Sequence, residues 1–248
     1  MANIAVIGGS GLDELATMSN AREIRRVTRF GMPSDSILEG RFADQKIYFL
    51  ARHGRNHAIP PHQINYRANI SALADLGVED VIAVTAVGGI TEATPPRRIV
   101  IPDQIIDYTY SREQTFSDGL DNAVNHIDFT YPYSSRLRDS LVSVAATINL
   151  PLEPTGTYGA TQGPRLETAA EITRMKRDGC TIVGMTGMPE AGLAREAGLN
   201  YANISLVVNW AAGIVQGTID VSEIEGHLAG GITDVLRLTE AWLRNGDR

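Results

Sequence analysis

Cysteine occurs once among the 248 residues, at Cys180, so no internal disulfide can hold the chain together, and this usage fits a reducing compartment. No apolar run approaches the length that spans a bilayer, and Met1 leads straight into a strand pattern without a basic leader or cleavage site. These absences predict a soluble, cytoplasmic protein. Basic charge is also short: 22 Lys and Arg against 29 Asp and Glu leave a net charge of -7. That balance argues against a nucleic-acid surface, which needs clustered cations. No Pro/Gly/Ser-rich linker, charge run or internal repeat divides the chain, so residues 1–248 read as one domain. His57 and His62 lack acidic or cysteine partners at ligand spacing, and no metal site is expected.

A dinucleotide fingerprint is missing too. Residues 3–7 (NIAVI) read as a buried strand, and Gly8-Gly9-Ser10-Gly11 follows at once. Such a turn lets bare amides and a hydroxyl approach an anion, although a run of small residues is more often only a turn. GGSGLDEL lacks the G-x-G-x-x-G spacing, and residues 24–28, 35–38 and 46–50 look like a meander of strands instead of a βαβ unit. A nicotinamide-dependent enzyme is therefore disfavoured.

What is present is organised around residues 159–190, which read as loop, helix, strand and loop. Thr168 and Glu171 form a capping box, Gly179 closes the helix in the left-handed conformation, and Ala169, Ile172 and Met175 share a face. Residues 181–185 are a short buried strand. Pro189 suits a first helical turn, where its missing N–H costs nothing. In open α/β sheets, ligands sit at such strand ends. Other strand ends carry chemistry of the same kind. Arg52-His53 follows the strand at 46–50, although the pair equally describes solvated groups at a loop edge. The strand at 80–86 ends in Thr85-Ala86-Val87-Gly88-Gly89, and the strand at 201–208 ends in Asn209-Trp210-Ala211. Helices are expected over 65–76, 137–148 and 191–197, and strands over 99–101 and 155–160. A long polar loop covering 108–133 includes His126. Ser222 and Glu225 read as a second capping box, opening a helix that carries Ile224, Leu228, Ile232, Val235, Leu236 and Trp242 toward a core. Gly230-Gly231 weakens its middle.

GGSG, LARHG, NYRANI, VTAVGG, GPRLET, GMTGMPE and the strand ending in Asn209 occur in that order across essentially the whole chain. Together they resemble the trimeric nucleoside phosphorylases of the methylthioadenosine/purine nucleoside phosphorylase family. The resemblance implies a single-domain α/β fold, a twisted mixed central sheet flanked by helices. It also implies phosphate-dependent cleavage of a purine N-glycosidic bond, with inorganic phosphate as co-substrate, no cofactor, and a homotrimer. It places phosphate on Ser10, Arg52, His53, Thr85, Ala86 and Thr186. The purine falls on Leu166, Glu167, Met185, Asn209, Trp210 and Ala211, and the 5′ group on Val221 and Ile224, with His126 lent by a neighbouring subunit. Asn209, Thr186, Arg52 and His53 become the candidate catalytic residues.

Two departures from the family pattern bear on the substrate. Members that use 6-aminopurines carry aspartates matching Asn209 and Ala211. Here Asn209 can donate to O6 or N7, and Glu167 can accept from N1–H, a pairing suited to a 6-oxopurine. Purine nucleoside phosphorylases place a histidine for the 5′-hydroxyl where this chain has Val221, and Val221 with Ile224 makes an apolar corner suited to a methylthio group. His227 is expected to face elsewhere. The combination points to S-methyl-5′-thioinosine, ahead of inosine or guanosine and then methylthioadenosine. The rivals from other classes are a nucleotide-binding protein without turnover and a hydrolase using water in place of phosphate.

Overall fold

The computed structural model describes residues 3–9, 12, 18–119 and 124–245. The strands are β1 (Ile4–Gly8), β2 (Ser19–Ile24), β3 (Ile37–Phe42), β4 (Gln45–Ala51), β5 (Asp80–Gly89), β6 (Ile99–Val100), β7 (Gln104–Asp107), β8 (Leu152–Glu153), β9 (Thr157–Ala160), β10 (Ile182–Gly184) and β11 (Asn200–Trp210). The helices are α1 (Tyr66–Asp75), α2 (Ser135–Thr147), α3 (Ala169–Arg177), α4 (Gly187–Glu196) and α5 (Val221–Asn245).

One mixed sheet in an α/β fold takes up the strands, in the order β2-β3-β4-β1-β5-β10-β9-β7, and β5 is its hub. Its first residues pair in parallel with β1, and its last two, Gly88 and Gly89, pair antiparallel with β10. Along its other edge it lies parallel to β11, which in turn pairs with β6. A strand enclosed in this way must be apolar on both faces, which is why residues 80–89 read as a near-continuous hydrophobic run. Alternation in β1 divides the core. Ile4 and Val6 pack on the side of Leu141, Leu206, Val235 and Trp242, under α2 and α5. Ala5 and Ile7 pack on the side of Ile70, Leu73 and Leu193, under α1 and α4. No helix among the described residues is long and apolar enough to cross a membrane.

Several local expectations change. The first strands of the meander are β2 and β3, not 24–28 and 35–38, because the pairing of β2 with β3 and of β3 with β4 sets the ends and not hydrophobicity alone. β7 and β8 are too short to carry a periodic signal. β11 runs on through Trp210. Ala169 is exposed, so Ile172 and Met175 alone anchor α3. Pro189 follows Met188, whose φ of -120° and ψ of 141° interrupt the first turn of α4. Ser222 does not cap α5: its own N–H donates to Asp220 Oδ1 at 2.8 Å, and the Asp220 carbonyl accepts from Ile224. Asp220 thus takes the Ile224 amide, one of those a capping Ser222 would accept. Gly230 and Gly231 leave α5 unbroken. A Cβ on Gly231 would stand 2.6 Å from Leu206 Cδ1, so this glycine lets the helix lie against β11.

Candidate active site

The C-terminal ends of β1, β4, β5 and β11 meet the end of β10 around a cleft of about 660 Å³, a volume usual for a small-molecule site. Gly9, Arg52, His53, Thr85, Ala86 and Thr186 all line it. So do Leu166, Glu167, Met185, Asn209 and Ile224. Ser10 lies outside the described residues. Trp210, Ala211, Val221 and His126 do not line the cleft: Ala211 is buried against Gly88, Val221 is 62% exposed at the start of α5, and His126 is exposed on the long loop.

Arg52 does not hold its fork open for an anion. It is 1% exposed, and Nε and Nη2 donate to the two carboxylate oxygens of Glu190 at 2.7 and 2.8 Å. Nη2 also reaches the Ile7 carbonyl at 3.4 Å, and Nη1 donates to the Val84 carbonyl at 2.9 Å. Four of five N–H groups are thus engaged, leaving one on Nη1. Tyr201 Oη donates to Glu190 Oε1 at 2.8 Å. Burial alone would lower the Arg52 pKa, but the Glu190 charge and its hydrogen bonds outweigh that and raise it. Glu190 is the residue the sequence reading missed. It stands at the end of GMTGMPE, yet nothing local marks it as the partner of a side chain 138 positions earlier.

His53 is fixed by one contact. Its Nδ1 lies 2.8 Å from the Ile59 carbonyl, which can only accept, so Nδ1 carries the proton and Nε2 presents a lone pair. The ring stacks on His57, which also lines the cleft, with centroids 4.1 Å apart. Burial, with lesser contributions from the Arg52 and His57 charges, pushes the His53 pKa down to about 4. An unfolded histidine protonates near pH 6.5, so between pH 6.5 and 4 the unfolded chain binds the extra proton and stability falls with pH. Urea unfolding is expected to show wild type losing about 2 kcal/mol from this group between pH 7 and pH 5. His53→Gln should lack that component, and equal pH slopes for the two proteins would refute it.

The region around Glu167 is built by caps and staples. Thr168 accepts from Glu171 N–H while the Glu171 carboxylate accepts from Thr168 N–H, so α3 starts immediately after Glu167. Glu167 Oε1 accepts from Thr161 Oγ1 at 2.6 Å. Arg112, on the long loop, donates to the carbonyls of Thr161, Gln162, Met185 and Met188, tying the segment before Glu167 to the segment after β10. On β11 the register slips between Val207 and Asn209, so consecutive residues Val208 and Asn209 both reach the cleft. The Asn209 amide donates one N–H to the Trp210 carbonyl at 2.7 Å and has a second to offer.

Ile224, Leu228 and Ile232 pack against the core as expected, and they also line the cleft together with Leu206 and Val208. A helical stripe looks the same whether it faces a core or a ligand. His227 turns away, with Nδ1 2.9 Å from the Val208 carbonyl. Among the described residues no group of three or more His, Cys, Asp or Glu side chains could hold a metal ion.

Comparison with known proteins gives consistent relatives. The family model described as the phosphorylase superfamily matches residues 3–244. A probable S-methyl-5′-thioinosine phosphorylase of Xylella fastidiosa (strain 9a5c) is 51% identical over 227 residues, covering 91% of this chain and 96% of that protein. The 6-oxopurine nucleoside phosphorylase of Pyrococcus furiosus is 44% identical over 243 residues, covering 96% of this chain and 91% of its own. Among solved structures, methylthioadenosine phosphorylase from Schistosoma mansoni in complex with adenine superposes with a TM-score of 0.92 at 31% identity, covering 98% of this chain and 91% of that one.

Proposed function

The chain belongs to the phosphorylase superfamily as a phosphate-dependent purine nucleoside phosphorylase, and on that premise we propose that its substrate is S-methyl-5′-thioinosine. The products are hypoxanthine and 5-methylthioribose 1-phosphate. The observation that carries this reading is the make-up of one cleft: Asn209 and Glu167 supply a donor and an acceptor, while Leu206, Val208, Ile224, Leu228 and Ile232 form a wall with no polar side chain. A 6-oxopurine needs the first pair, and a thioether in place of a 5′-hydroxyl suits the second surface. The apolar 5′ corner is centred on Ile224 and the residues one and two turns further along α5. In this single chain Val221 stays outside it.

Phosphate occupies the end formed by Gly9, Arg52, His53, Thr85, Ala86 and Thr186. Gly9 borders that end, where a Cβ would stand at ordinary contact distance, 3.6 Å, from Arg52 Nη1. The Arg52–Glu190 pair is neutral overall, so Arg52 contributes one directed N–H more than a net charge. His53 Nε2 accepts the hydroxyl of monohydrogen phosphate, and Thr85 and Thr186 donate. Thr186 makes no cap bond at the start of α4, and its side chain lies in hydrogen-bond contact with the Tyr158 hydroxyl beside the cleft. A phosphate oxygen then attacks the anomeric carbon as the bond to N9 breaks, and Asn209 stabilises negative charge arriving on the purine. His126 belongs to a trimer in which each subunit completes its neighbour's pocket.

Phosphorolysis of methylthioinosine, inosine, guanosine and methylthioadenosine, with and without phosphate, tests this. Methylthioinosine is expected to have the highest kcat/KM and to require phosphate. A preference for methylthioadenosine would overturn the base assignment, and one for inosine the 5′ assignment. Turnover without phosphate would make the protein a hydrolase.

A further inference from the structure

Beneath Thr85 lies a buried polar cluster that no step above uses. Thr85 and Ser205 face each other across β5 and β11, and Asn203 sits one pleat back on the same face. Asn203 and Ser205 are 0% exposed and Thr85 4%. The Thr85 and Ser205 hydroxyls lie 3.0 and 2.6 Å from Asn203 Oδ1, and 3.2 Å from each other. Asn203 Nδ2 is buried and has no partner.

With the amide turned so, both hydroxyl protons point at Oδ1, two hydrogen bonds form, a strong donor is stranded, and Thr85 has no proton to offer a ligand. Oxygen and nitrogen of an amide are alike in shape and are told apart by their partners. Exchanging them lets Nδ2 donate to both hydroxyl oxygens. The Ser205 proton then goes to Thr85, for three internal bonds in place of two, and the Thr85 proton is left facing the cleft. The stranded atom becomes a carbonyl oxygen, which proteins leave under-satisfied more often than an N–H.

We infer that Asn203 is a positioning residue that donates to Thr85 and Ser205 and thereby makes Thr85 a hydrogen-bond donor to phosphate. This rests on the phosphate reading of that end of the cleft. Asn203 touches no substrate.

A double-mutant cycle on phosphorolysis, run with methylthioinosine or inosine, whichever is cleaved faster, tests it. Thr85→Val is expected to raise the KM for phosphate about tenfold or more, the effect of one hydrogen bond to a charged group. Asn203→Leu should raise it about three- to tenfold in the wild-type background and leave it unchanged in Thr85→Val. The KM for nucleoside should stay within about twofold in all three proteins, which a general packing defect would not allow. If Asn203→Leu folds poorly, Ser205→Ala replaces it in the same cycle, with about a two- to fivefold effect confined to the Thr85 background. An Asn203 or Ser205 effect that multiplies with that of Thr85→Val overturns the positioning role alone. An unchanged phosphate KM in Thr85→Val removes the phosphate reading itself, and this inference with it.

Discussion

Glu190→Gln is expected to lower the unfolding free energy by about 3–5 kcal/mol, the usual result of stranding one member of a buried ion pair. The amide keeps the shape of the carboxylate, so no cavity opens. It keeps only one acceptor oxygen, however, and turns an NH2 toward a guanidinium that already donates to both positions at 2.7 and 2.8 Å. Arg52, with 1% of its surface exposed, cannot recover the lost partner from water. Its counter-charge can then come only from the cleft. Phosphate should therefore raise the melting temperature of Glu190→Gln by more than that of wild type, since a ligand bound only to the native state stabilises according to its affinity. Thermal and urea unfolding with and without phosphate measure both effects. A stability loss below about 1 kcal/mol would mean the pair is replaceable by neutral groups, as some buried pairs are. Equal phosphate shifts would place Arg52 outside the anion site.

That pair also marks the boundary of what the residues disclose on their own. A cap made within one turn was legible: the Thr168–Glu171 box before α3 stands where local chemistry put it, whereas Asn65, read as the first residue of a helix, caps α1 by accepting from the Ala68 N–H. So was β5, because a strand covered on both faces has to be apolar throughout. Asp220 stands in for Ser222 at the start of α5, its side chain accepting from the Ser222 N–H, and two polar residues two positions apart are not ranked as caps by the sequence. The strand ends that build the cleft were legible because glycines, hydroxyls and cations follow several buried strands in this one chain. Their partners were not. Glu190 meets Arg52 only through the docking of α4 beneath the sheet, and the extra residue at Val208 that brings Asn209 into the cleft is a property of register between β5 and β11. The stripe of Ile224, Leu228 and Ile232 was visible, but whether it faces protein or ligand depends on where α5 ends up.

Asn209→Asp is expected to weaken the preference for a 6-oxopurine. In the proposed complex the Asn209 N–H not bound to Trp210 donates to the 6-oxopurine, while Glu167 accepts from N1–H. An ionised aspartate has no proton to give, so O6 or N7 would face a second acceptor. Protonated, it could donate to N7 of a 6-aminopurine, and ionised it could accept from the exocyclic amine. One mismatched buried polar contact at about 1–3 kcal/mol should cut kcat/KM for methylthioinosine roughly 5- to 150-fold. Methylthioadenosine should lose far less or gain. Because the Thr161–Glu167 contact of 2.6 Å does not involve Asn209, the acceptor for N1–H stays in place, and part of the 6-oxo preference should survive. Glu167→Gln in the Asn209→Asp background removes that remainder. Ratios of kcat/KM for the two nucleosides across wild type, each single variant and the double variant measure the split. An unchanged ratio in Asn209→Asp would mean that the base is read elsewhere in the cleft, and the substrate assignment would then rest on the apolar wall alone.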